Sequence, residues 1–250
     1  MDQVVDTETA KEFMRETLEV VDVSELAQIC VDVEEKSAWF QAALDRDALA
    51  ELTKQDYFGL LQRVFSVRGK ARSVMQGYDV DAVRSWITEL LYGSGNPGKR
   101  FDAFACRLDG LSENLRVDVT GELLHFAQPD RHWLWTRWMW DPKTKTGALP
   151  LVTTAAYDFA GESPGAIYMK VGRAIAFVHE VGGAAGFQKI SRSIFGTDVF
   201  LCSVYVVYAY TVLRMRMTQE FNKVMPGLPE FCRRLLGVHR KPSAAPAGTA

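Results

Sequence analysis

The sequence predicts an all-α fold: one domain of about ten helices around a long helix near the C-terminus, with little or no strand. Three observations carry this expectation. Apolar residues recur at spacings of three and four through most of the chain. The strand–helix alternation that announces a parallel sheet is missing. And the stretch 197–224, TDVFLCSVYVVYAYTVLRMRMTQEFNKV, carries two apolar stripes. One holds Cys202, Val206, Ala209, Leu213, Met217, Phe221 and Val224; the other holds Tyr205, Tyr208, Val212 and Met215. A helix apolar on two faces is normally enclosed by protein. Helical rise would carry it ~42 Å, across a domain of this size. Thr197 reads as its N-cap, Asp198 as a first-turn acid, and Pro226-Gly227 as its stop.

The preceding elements follow in order. Residues 9–20 read as a helix with Phe13, Met14 and Leu18 on one face. Ser24 reads as the cap of a second helix that buries Leu26, Ile29, Cys30, Val33, Trp39 and Phe40. Asp45 and Thr53 read as further N-caps, with Thr53 and Asp56 spaced as a capping box. Asp79 or Asp81 opens a helix through Val83, Trp86, Ile87, Leu90 and Leu91, ended by Gly93. A loop, SGNPGKR, leads to a helix through Phe101, Phe104 and Leu108, then a turn, then VDVTGELLHF. The segment 147–165 has the chain's only strand character. Ser163 and Pro164 begin the next helix, and Pro229 opens a last short one. The expected domain is 1–237, with an acidic N-terminal part at 1–77 and a disordered Pro/Ala/Ser-rich tail at 238–250.

Composition bounds the function. With 48% hydrophobic and 24% charged residues the chain is an ordinary globular protein, which excludes disorder for most of it. Residues 1–60 hold fifteen acids and five bases, and the remainder sixteen acids and twenty-four bases. The plain expectation is an acidic segment folded against a basic one. Cys30, Cys106, Cys202 and Cys232 lie far apart without a C-x-x-C pair, as in reduced core thiols. The acidic start MDQVVDTETAKEF lacks the apolar segment of a secretory signal. The uncharged run 199–213 is shorter than the ~20 residues a bilayer needs. The expected compartment is therefore the cytoplasm.

Motifs that resemble chemistry fail on their context. Gly93, Gly95 and Gly98 match G-x-G-x-x-G, but a helix precedes them where a dinucleotide site needs a strand. Gly161, Ser163 and Gly165 match a nucleophile elbow. The residue after the serine is Pro164, which has no N–H to donate to an oxyanion, so Ser163 reads as an N-cap. His179-Glu180 lacks the second histidine of a zinc-protease helix, and no metal or cofactor site is expected. His125, Asp130 and His132 are close enough in sequence to share one.

The segment 131–145 is the leading functional candidate. Trp133, Trp135, Trp138 and Trp140 fall within eight residues, flanked by Arg131, Arg137, Lys143 and Lys145. Such a pattern fits a protein-interface hot spot or a surface for single-stranded nucleic acid. It also fits rings filling a core with arginines at its edge.

Residues 101–138 resemble bacterial helical domains of the helix-hairpin-helix group. The counterparts are FDAF, the hairpin Leu108-Asp-Gly110-Leu111, Leu123-Leu124-His125-Phe126, Pro129, and Thr136-Arg137. The group's hairpin has a second glycine that lets backbone N–H groups approach a DNA phosphate; here position 112 is Ser. The catalytic lysine and aspartate of the related glycosylases have no counterpart. The resemblance implies a helical scaffold and carries over no activity. The leading expectation is a non-enzymatic accessory protein that docks a protein partner through 131–145. The alternative is a nucleic-acid-binding module, and the third reading an enzyme using His125, Asp130 and His132.

Overall fold

The computed structural model describes residues 4–216 and 226–238. They form an all-α domain, as expected, with one continuous apolar core. Thirteen α-helices occur among the described residues: α1 (Thr7–Val20), α2 (Val23–Ala43), α3 (Arg46–Ala50), α4 (Lys54–Arg63), α5 (Ala71–Gly77), α6 (Val80–Tyr92), α7 (Pro97–Arg107), α8 (Glu113–Ala127), α9 (Leu149–Val152), α10 (Pro164–Glu180), α11 (Gly182–Ala185), α12 (Ile194–Arg216) and α13 (Leu228–Leu235).

Local chemistry sets most boundaries. Thr53 and Asp56 form the reciprocal capping box of α4, and Asp79 caps α6 by accepting from the N–H groups of Asp81 and Ala82. Asn96, not a longer loop, starts α7: its side chain accepts from Gly98 N–H, and Pro97 occupies the first turn. Asp22 precedes α2 where Ser24 was expected, without a side-chain bond. The strand expected in 147–165 is replaced by the single turn α9 and an isolated bridge between Val5 and Thr153.

The long C-terminal helix differs from expectation at its start. α12 begins at Ile194, after a turn in which Ser191 Oγ accepts from Ser193 N–H. Thr197 is therefore interior, bonded to His179 Nδ1 at 2.7 Å, and Asp198 is fully buried. The predicted continuation over 217–224 and the tail from 239 lie outside the described residues. Residues 195–204 are buried without a break, and α12 packs on α1, α2, α10 and α13. By length and composition Ile194–Val212 would suffice to cross a membrane, yet 61% of that window is buried inside the fold.

α8 is enclosed to the same degree. Residues 117–126 are all buried, and α8 packs between α2, α6 and α7. The acidic N-terminal part does not stand apart, since α1 lies on α12 and α2 on α8. Arg233 of α13 meets Asp32 at 3.3 Å and Glu25 at 3.7 Å, so part of the charge asymmetry is resolved within the fold.

α7 and α10 cross at their first turns with almost no space between backbones. A Cβ on Gly165 would stand 1.9 Å from the Gly98 carbonyl oxygen. Asp102 locks the crossing by accepting from Ser163 Oγ at 2.6 Å and from Gly165 N–H at 2.7 Å. Ser163 also caps α10 by accepting from Ala166 N–H. We predict that Gly165→Ala destabilises the fold by about 1–3 kcal/mol or more through overpacking. Gly77→Ala, whose Cβ would meet nothing within 4 Å, should change stability by under about 1 kcal/mol. Chemical denaturation of both variants checks the contrast.

Candidate functional site

Asp118, Glu122 and His125 lie at i, i+4 and i+7 on α8, one above another on a single helix face. That face is almost closed to water: the three residues are 4%, 2% and 0% exposed. Each is answered by a group from a different part of the chain. Glu122 Oε2 accepts from Lys36 Nζ of α2 at 2.7 Å. Lys36 also donates to the Leu236 carbonyl and lies 3.9 Å from the centre of the Phe126 ring. Asp118 accepts from the Arg137 backbone N–H at 3.0 Å and from its Nε at 3.4 Å. His125 Nε2 sits 2.8 Å from Asp198 Oδ2 of α12. Because His125 Nδ1 faces the His132 carbonyl oxygen at 2.8 Å, Nδ1 must be the donor there.

Burial dominates the protonation of this stripe. It raises the carboxyls of Asp118 and Glu122 against the attraction of Arg137 and Lys36, and lowers the Lys36 ammonium against the attraction of Glu122. Both partners of the Lys36–Glu122 pair are thus pulled toward neutrality. That is the behaviour of an ion pair whose desolvation outweighs its Coulomb gain.

The segment 131–147 crosses the open end of this face. Its backbone comes so close to α8 that a Cβ on Gly121 would meet the Trp135 carbonyl oxygen at 2.2 Å. Trp135 Nε1 donates to the Trp140 carbonyl, and Ala148 and Leu149 N–H donate to the carbonyls of Trp138 and Met139. Between this segment, α8 and α12 lies a pocket of about 370 Å³. Asp118, Glu122, Asp141, Arg137, Thr136, Ser66, Phe65, Trp138 and Tyr205 are among its lining residues. Thr136 Oγ1, Trp138 Nε1 and Trp140 Nε1 are buried without a hydrogen-bond partner among the described residues. Three such atoms within five residues is a local concentration, since buried polar groups are rarely left unpaired. A larger hollow of about 820 Å³ on the other side of Lys36 is rimmed by Gly237 and Val238, next to residues outside the described chain.

The segment singled out by sequence is thus placed differently from a docking surface. Trp135, Trp138 and Trp140 are 1%, 6% and 8% exposed. Trp135 stacks on Phe101 at 5.6 Å and Trp140 on Phe159 at 4.7 Å. Trp133 is half-buried beside His179. Large rings with two stacking faces contribute more area to the core than smaller apolar side chains. Of the four cations, Arg137 turns to Asp118 and Lys143 pairs with Glu113 at 3.2 Å, while Arg131 and Lys145 are exposed. His125, Asp130 and His132 do not converge: Asp130 is exposed, and the His132 ring bonds Tyr168 Oη at 3.1 Å. In the hairpin of the helix-hairpin-helix resemblance, Gly110 N–H already donates to Tyr78 Oη.

Sequence reasoning missed Lys36, Asp118, Glu122, Asp141, Asp198 and Tyr205. Three were detectable. Ile29, Val33, Lys36 and Phe40 run at spacings of four, three and four, so Lys36 stands in an apolar stripe. Asp118 and Glu122 are charges within the otherwise enclosed VDVTGELLHF. No protein-family model, curated protein or solved structure matches the chain.

Two predictions follow from this electrostatics. Lys36→Met leaves Glu122 without its cation and should cost about 3–5 kcal/mol, while Lys36→Met combined with Glu122→Met should regain most of that loss. Equilibrium denaturation of the single and double variants measures both. The second concerns His132, held down to about 4 by burial first and then by its neighbours Arg100, His125 and Arg131. The unfolded chain takes up its proton near pH 6.5, before the folded one does. Stability therefore falls as pH drops from about 6.5 to about 4, by up to about 3 kcal/mol. The raised carboxyls of Asp118 and Glu122 act in the opposite sense over the acid range. His132→Gln should flatten the decline between pH 6.5 and 4.5, read by denaturation at each pH.

Proposed function

We propose that the chain is a small-molecule-binding protein whose site is the pocket between α8, α12 and the tryptophan segment. One observation carries this reading: a pocket of about 370 Å³ walled by buried carboxylates, with the unpaired polar atoms of Thr136 and Trp138 in its wall. The volume is in the range of small-ligand sites, and a few convergent polar groups among aromatic rings is their usual lining. Glu122 and Asp118 remain in the interior at an energetic cost that an apolar pair would avoid. Groups kept under such conditions are candidates for a functional role.

This reading replaces partner docking through the tryptophans, three of which are committed to the core. It keeps the segment 131–147 as the functional element, now as the wall of a pocket. For nucleic-acid binding, Arg131, Lys145 and the Glu113-paired Lys143 remain as exposed cations, few for a surface whose affinity scales with phosphates neutralised.

A fragment screen followed by proton–nitrogen NMR tests the proposal. Fragments that occupy the pocket should shift the Trp138 indole N–H together with the amides of Asp118 and Asp141. Tyr205→Ala, which removes one wall, should weaken those fragments. A screen in which no fragment perturbs this set, or in which shifts scatter over the surface, contradicts it.

A further inference from the structure

Resting on that reading, we infer that the pocket takes a small organic ammonium compound that also carries a hydrogen-bond acceptor. The unmatched charge of the wall points to a cation. Of the lining carboxylates Asp118, Glu122 and Asp141, Asp118 is met by Arg137, the single lining cation. Lys36 answers Glu122 from behind the wall. Of the three lining carboxylates, Asp141 is the one with no ion pair among the described residues, so its charge is left for a guest. Its Oδ1 accepts from the backbone N–H groups of Lys143 and Thr144, fixing the carboxylate at the pocket edge.

The rings point the same way. Trp138 and Tyr205 lie with centroids 6.3 Å apart and tilted by 48°, and Phe65 adds a third aromatic wall. Aromatic faces next to a carboxylate are the surroundings in which an alkylated ammonium binds, attracted by the ring quadrupole and by the anion together. The second half of the inference comes from the indole. Trp138 Nε1 can only donate, and it has no acceptor among the described residues. A hydroxyl or carbonyl on the guest supplies one. Thr136 Oγ1, unpaired beside it, can donate or accept.

Isothermal titration with choline, ethanolamine and the neutral choline isostere 3,3-dimethyl-1-butanol tests the class. Choline or ethanolamine should bind, and the neutral isostere should bind at least about tenfold more weakly. Asp141→Asn keeps the acceptor that caps the 141–144 turn while removing the charge, so it should fold normally and lose about tenfold in affinity for the cation. A thermal melt of this variant confirms the fold independently of binding. Equal binding of the isostere, an unchanged affinity in Asp141→Asn, or no binding of either cation overturns the ammonium assignment. The pocket reading fails separately: it falls only if neutral and anionic fragments also leave the Trp138 indole and Asp118 signals unmoved.

Discussion

A helix buried on every side from 117 to 126, carrying three ionisable groups on one face, constrains everything around it. Each of Asp118, Glu122 and His125 must be met by a counter-group, because an unpaired charge at such depth is far too costly to keep. The partners come from distant parts of the chain: Lys36 is 86 residues from Glu122, and Asp198 is 73 from His125. Satisfying them fixes α2 and α12 against α8. Asp118 does the same for the tryptophan segment by accepting from the Arg137 backbone. The apolar core supplies the larger part of the stabilisation, but its packing is tolerant of register. The polar pairs are not.

The pocket arises where this arrangement is least complete. Over the first turns of α8 the covering element is a non-helical segment, pressed onto Gly121 and anchored by its own indoles. A segment without a regular ladder must satisfy its polar groups one by one, and here several remain unmet at about 1–3 kcal/mol each. The cost is local and lies beside buried carboxylates that burial has pushed toward neutrality. Low polarity and uncompensated hydrogen-bonding capacity at one place are what a ligand can relieve.

The fold was largely legible in the sequence, and the site was not. Periodicity and caps such as Asp79, Thr53 and Ser163 delimit helices because they are local, settled within one turn. The reading of Thr197 as a cap failed because the local pattern of a threonine followed by an acid is the same whether the acid faces water or a histidine 73 positions earlier. The tryptophans misled for a related reason: composition records that rings are abundant, not which way they face. Lys36 could have been noticed as a charge in an apolar stripe. Its pairing with Glu122, and the meeting of Asp141 with Tyr205 around one pocket, are products of tertiary packing that no local spacing encodes.

The most direct measurement is a carbon-13 NMR titration of the side-chain carboxyls. If α8 carries its acids into a desolvated interior, Asp118 and Glu122 titrate above the ordinary range for their residue types, with burial as the cause. Ordinary midpoints at both positions would mean that water reaches this face of α8. The buried stripe, and the pocket built on it, would then have to be abandoned.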